Sequence, residues 1–130
     1  MGFTDTHTHL YLEQFKDDID SVIEKSISSN VNRLFLPAIN SAHTESMFLL
    51  KERYPENIFL MSGLHPCYVE ANFQDEIKHV EMIINENEIV AVGEIGIDLY
   101  WDKTNCTTTM ISSSGVTVDL APGDSSSKEA

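Results

Sequence analysis

Two histidines one residue apart, His7 and His9 in the run Phe3-Thr4-Asp5-Thr6-His7-Thr8-His9, are the first residues whose type and spacing can do chemistry. On a strand the side chains at i and i+2 share a face, so both imidazoles can aim a nitrogen at one point, whereas on a helix they would point apart. Convergent imidazoles at a strand end suit a divalent metal ion. The alternative is a pair of solvated or hydrogen-bonded histidines. Gly93-Glu94-Ile95-Gly96-Ile97-Asp98 places two carboxylates among two glycines, which let the backbone turn sharply while Glu94 faces a strand-end cavity. There Glu94 either complements the imidazoles as an oxygen ligand or lies solvated in a Gly-rich loop. Asp98 either orients a ligand from behind or caps the turn. His65 precedes Pro66, which restricts it to an extended conformation and can hold its imidazole towards a substrate.

The elements that must position these groups alternate between two periods. After the histidine pair, Asp17-Asp18 opens a helix with Ile19, Val22, Ile23 and Ile27 on one face, and Arg33-Leu34-Phe35-Leu36 follows as a short apolar strand. Asn40 or Ser41 caps a second helix carrying His43, Met47, Leu50 and Tyr54, which Pro55 stops. Ile58-Phe59-Leu60-Met61 is a third strand. A third helix shows Phe73, Ile77, Val80 and Ile84 on one face, and Ile89-Val90-Ala91-Val92 is a fourth strand. One helix between successive strands predicts right-handed crossovers and a parallel sheet, the form of half an eight-stranded barrel. In such folds reactive groups lie beyond the carboxyl ends of strands, where His7, His9, His65 and Glu94 all fall. His43 and His79 lie inside helical patterns and read as surface or packing residues.

Composition narrows the class. Eight Lys plus Arg against 21 Asp plus Glu give a net charge of −13, which repels a polyanion at long range and excludes nucleic-acid binding through a basic surface. A bound divalent cation can still hold a phosphate in an acidic protein. Cys67 and Cys106 are too far apart for a Cys-x-x-Cys motif, no cationic apolar leader precedes Phe3, and no apolar run reaches membrane-spanning length. The expectation is a soluble cytoplasmic chain with reduced thiols and no membrane association.

Thr4-Asp5-Thr6-His7-Thr8-His9-Leu10, Gly63-Leu64-His65-Pro66 and Gly93-Glu94-Ile95-Gly96-Ile97-Asp98 together resemble the TatD family of metal-dependent hydrolases, in the family's order and spacing. The resemblance covers residues 1 to about 103. It implies an α/β fold, parallel (β/α) units forming the N-terminal half of a TIM-type barrel. It also implies one or two divalent ions, Mg, Mn or Zn, and phosphodiester hydrolysis with DNA as the substrate. By position, His7 and His9 match the first metal-ligand pair and Glu94 a catalytic carboxylate that ligates or bridges the metals. His65 matches a catalytic, substrate-binding histidine, and Asp5 and Asp98 match supporting residues. The implied reaction is attack of a metal-activated water on phosphorus, without a covalent protein intermediate.

The departure from the family is as informative. Members continue through further helix-strand units that bring two more histidines and a late aspartate, whereas this chain has no histidine after His79. Of the 27 residues from 104 to 130, 11 are Ser or Thr and none is aromatic, and the helical period stops. The reading is a barrel half over 1–103 and a Ser/Thr-rich, disordered or non-native tail over 104–130, in which Val116-Thr117-Val118 makes a brief strand and Pro122-Gly123 a turn. The expectation from this departure is a truncated or frame-shifted product. Three functions follow: a phosphodiesterase with weak activity, a catalytically dead fragment, or an interaction module that docks or self-associates through unpaired sheet edges.

Overall fold

A computed structural model describes residues 2–95 and two short strands at 109–111 and 117–119. Four parallel strands, β1 (Phe3–Asp5), β2 (Val31–Pro37), β3 (Ile58–Ser62) and β4 (Ala91–Val92), lie in sequence order in one curled sheet. Helices α1 (Ile19–Ser28), α2 (Thr44–Arg53) and α3 (Phe73–Glu86) make the three crossovers. Four strands and three helices is the arrangement that the alternating periods predict, and the curled sheet is half of a barrel.

Strand alternation sorts the side chains. Leu34 and Leu36 of β2 stand beside Ile58 and Leu60 of β3 in register, and all four are buried against Ile23 of α1 and Met47 and Leu50 of α2. Burying each of these large aliphatic side chains contributes about 1.5–3 kcal/mol, which makes this layer the main source of stability. Phe35 and Phe59, one residue out of phase, face the opposite side of the sheet and stack with ring centroids 5.1 Å apart. On α3, Ile77 and Val80 form a smaller buried cluster with Phe73 and Ile84.

Local chemistry sets the element ends. After α1 the chain reverses at Asn30, whose φ of 68° is left-handed, a conformation asparagine tolerates better than most side chains. The Asn30 carbonyl then accepts the Phe3 amide at 2.7 Å, so the turn that begins β2 also anchors β1. Asn40 caps as expected, its Oδ1 accepting the Ala42 amide, but it caps a 3-10 turn (Ser41–His43) rather than α2 itself. Ser41 donates from its amide and its hydroxyl to the Glu76 carboxylate at 2.8 and 2.7 Å, which ties this turn to α3. That side-chain anchor explains why α2 begins only at Thr44.

Two strand expectations need correction. The first strand ends at Asp5, before the histidines. The fourth begins at Ala91 and not at Ile89: Ile89 packs against the core, and Val90 makes a single bond to the Leu60 carbonyl of β3 just ahead of the paired residues. The strand expected at Val116–Val118 is observed as β6 (Thr117–Asp119), antiparallel to β5 (Thr109–Ile111). The expected boundary at 103/104, the Pro122-Gly123 turn, Cys106 and Asp98 lie outside the described residues. Among the described residues no helix is long and apolar enough to cross a membrane.

Candidate metal centre

Beyond β1 the chain bends at Thr6 and leaves the regular ladder. Asp5 Oδ1 accepts the His7 amide at 3.0 Å, and the Thr8 amide donates to the Phe35 carbonyl at 3.0 Å. The first bond closes the backbone behind His7, and the second straps the segment to β2. His7 and His9 therefore still project to one side, with their Nε2 atoms 3.1 Å apart and their rings edge to face. Asp5, which the motif resemblance assigns to a supporting role, makes its contact with the backbone at His7.

Glu94 reaches the same point from β4. It follows Gly93, whose amide donates to the Ser62 carbonyl at 2.8 Å, and its own φ is 53°. A left-handed conformation at a glutamate is uncommon, and here it turns the side chain back over the strand ends. The approach needs glycine on the neighbouring strand, since a Cβ on Gly63 would lie 1.4 Å from the Gly93 carbonyl oxygen. Glu94 Oε1 comes within 2.8 Å of His7 Nε2 and 3.3 Å of His9 Nε2, and the carboxylate side chain is only 11% exposed.

His65 faces the cluster from beyond β3. Its Nδ1 accepts the Cys67 amide at 3.1 Å, which in the neutral imidazole leaves the proton on Nε2, 3.7 Å from Glu94 Oε2. A protonated Nε2 cannot ligate a metal, but it can donate to an anionic substrate. His43 and His79 lie elsewhere, as expected. The His43 ring tilts against Tyr11, and His79 Nε2 is 2.8 Å from the Thr44 hydroxyl.

Burial holds the His9 imidazole below its ordinary pKa; the Glu94 carboxylate pulls it up, while His7 pushes it further down. The net effect favours neutral imidazole, the form that binds metals. Tyr11 is a further residue of this cluster, outside the sequence motifs. Its hydroxyl lies 2.7 Å from His9 Nδ1 and 2.6 Å from the Pro37 carbonyl oxygen, and burial raises its pKa far above the ordinary phenol value. The continued alternation 7, 9, 11 was the available signal.

The three donors fit an ion. Two imidazole nitrogens and one carboxylate oxygen suit a divalent transition metal or zinc. Donors about 2.1 Å from a common ion stand about 3.0 Å apart at right angles and about 3.4 Å apart at the tetrahedral angle. The observed 2.8, 3.1 and 3.3 Å fall close to that range. Among the described residues, His7, His9 and Glu94 are the group able to share one ion.

Comparison with known proteins bears on the family and the fold. A family model described as TatD related DNase matches residues 4–112. The uncharacterized metal-dependent hydrolase YabD of Bacillus subtilis is 28% identical over 100 residues, which cover 77% of this chain and 39% of YabD. The human deoxyribonuclease TATDN3 is 29% identical over 106 residues, covering 75% of this chain and 39% of that protein. The crystal structure of YjjV, a TatD homolog from Escherichia coli K12, superposes with a TM-score of 0.69 at 27% identity, over 78% of this chain and 39% of YjjV. The chain thus spans about two fifths of the length of these relatives. With the family model matched over most of its length and the barrel strands in the same arrangement, the chain belongs to the TatD-related DNase family.

Proposed function

We propose that this chain carries part of the active site of a divalent-metal-dependent phosphodiesterase, with DNA as the substrate. The observation that supports it best is the meeting of His7, His9 and Glu94, which follow the two opposite edge strands of the four-stranded sheet, with donor separations of 2.8 to 3.3 Å. A divalent cation held there supplies Lewis acidity, acidifying water and offsetting charge on a phosphoryl group. The protein's own contribution is geometric and electrostatic. His7 and His9 offer imidazole nitrogens, and Glu94 offers a carboxylate oxygen from a largely buried position. His65, protonated on Nε2, donates to a non-bridging phosphate oxygen and orients it.

A net charge of −13 makes the cation the means of holding a polyanion, so substrate affinity and metal affinity rise and fall together. The three donors leave other coordination positions for water or for groups beyond the described residues. On that account the 130-residue chain by itself binds a metal that exchanges readily and hydrolyses DNA slowly. Titration calorimetry with Zn2+ and Mn2+, alongside divalent-dependent cleavage of single-stranded DNA, tests the proposal. Binding of one equivalent that is lost in both His7→Ala and His9→Ala is the expected result, with any cleavage lost in the same variants. Unchanged metal content in both variants would sink the ligand assignment.

A further inference from the structure

The proton positions around His9 follow from atoms that can and cannot donate. The Pro37 carbonyl oxygen only accepts, and it lies 2.6 Å from the Tyr11 hydroxyl oxygen, a separation that needs a proton between them. Tyr11 has one proton to give, so it donates to Pro37. The contact of 2.7 Å between that hydroxyl and His9 Nδ1 then needs its own proton, and the imidazole must supply it; the His9 ring also hydrogen-bonds to the Pro37 carbonyl, which only accepts. His9 is therefore the Nδ1–H tautomer. Its Nε2 is left bare, 3.1 Å from His7 Nε2 and 3.3 Å from Glu94 Oε1.

We infer that Tyr11 is a positioning residue that locks His9 in the tautomer whose Nε2 can bind metal and fixes the plane of its ring. Tyr11 is buried, its ring packed between those of His9 and His43 with centroid separations of 5.6 and 5.3 Å, so the hydroxyl has little freedom to turn away. Through Pro37 the lock is tied to the end of β2, and Pro37 also abuts Gly93: a Cβ placed on that glycine would come within 3.2 Å of the Pro37 side chain. Tyr11 thus registers a donor that follows β1 against the strand ends that carry Glu94. The partner is a neutral phenol and not a carboxylate, so the lock orients His9 without adding a negative charge beside the ion.

The inference rests on the reading of His7, His9 and Glu94 as metal ligands, and its test separates the two. In the metal-free 130-residue chain at neutral pH, long-range proton–nitrogen correlation spectra of the imidazoles read the tautomer of His9 directly. The expected result is a proton on Nδ1. Tyr11→Phe keeps the ring and removes the hydroxyl; in that variant the His9 signals should move towards the Nε2–H form, and the Kd for Zn2+ should rise about tenfold or more, the usual effect of losing an outer-shell partner. Circular dichroism of the same samples identifies a variant that has unfolded, and in that event the wild-type tautomer alone decides. A wild-type His9 protonated on Nε2 would overturn the inference, as would a folded Tyr11→Phe chain with the wild-type tautomer and Kd. Zn2+ binding that survives both His7→Ala and Glu94→Gln would overturn the underlying metal reading, whatever tautomer His9 shows.

Discussion

At the scale of single residues the cluster separates charge, ligation and orientation among different side chains, and substitutions should separate them too. Glu94→Gln keeps the size of the side chain and removes the charge that a divalent ion prefers. We expect at least tenfold weaker Zn2+ or Mn2+ binding by calorimetry; affinity equal to that of the unsubstituted chain would remove Glu94 from the ligand set. His65→Gln should do the opposite. Because His65 Nδ1 is engaged by the Cys67 amide and its Nε2–H faces Glu94 Oε2 at 3.7 Å, the substitution should leave metal affinity within about twofold while lowering phosphodiester hydrolysis. A metal affinity that collapses in His65→Gln would make His65 a ligand. The part of this site that could be read from the sequence is the part carried by short-range spacing. His7 and His9 declare themselves because two residues of extended chain suffice to bring their rings together. Glu94 was legible as a residue type beside glycines, but its left-handed backbone and its contact with His7 depend on how β3 and β4 approach one another. For Tyr11 the alternation 7, 9, 11 offers the shared face with His9, but the orientation of its hydroxyl depends on Pro37, 26 residues away.

At the scale of elements, the period of apolar residues placed three helices and four strands, and the errors lie where a side-chain anchor replaced a regular end. The late start of α2 behind the Ser41–Glu76 contacts is one case, and the early end of β1 is another. Gly63 shows how narrow the tolerance is where strands converge on the site. Gly63→Ala would put a methyl group against the Gly93 carbonyl, and β3 and β4 could remain paired only by shifting their backbones. The expected loss is about 3 kcal/mol of stability, seen as a lower denaturant midpoint, together with weaker metal binding because Glu94 moves with Gly93. A midpoint equal to that of the unsubstituted chain would show that the strand ends can relax freely. Elsewhere, α1 and α2 are joined where Asp20 Oδ1 accepts the Tyr54 hydroxyl at 2.5 Å and the Arg53 guanidinium. The Tyr54 hydrogen bond, with help from Arg53, holds the Asp20 carboxyl below its ordinary value of 3.8. A depressed pKa in the folded state adds stability that is fully present above the unfolded value and lost as pH falls through the folded value. Asp20→Asn should therefore lower the melting temperature slightly at neutral pH, by an amount limited by the exposure of the contact. The difference from the parent chain should close as pH is lowered below 3.8. A difference that stays constant from neutral pH to pH 3 would mean that the contact does not couple to folding.

At the scale of the whole molecule, among the described residues three helices lie on one side of the sheet, the half-buried stacked pair Phe35 and Phe59 lies on the other, and β1 and β4 form its two edges. Phe3 and Ile95, near those edges, are 69% and 50% exposed. Exposed aromatic surface and unpaired strand edges both favour association with another chain, since edge amides and carbonyls are a ready template for pairing. Charge opposes it, because two copies at −13 each repel one another at long range. The balance should depend on ionic strength in a direction that separates the two effects. Raising salt to about 0.5 M shortens the screening length to well under 10 Å and removes most of the repulsion while leaving apolar burial in place. The 130-residue chain, 14.6 kDa as a monomer, should therefore sediment as larger species as salt and protein concentration rise. Phe35→Ser with Phe59→Ser should shift that equilibrium back towards monomer, because the substitutions remove apolar surface from the open side without touching the buried Leu34, Leu36, Ile58 and Leu60 layer. Association that weakened with added salt would instead point to contacts between charged groups. A chain that remained monomeric under every condition would show that its own residues satisfy the open side of the sheet.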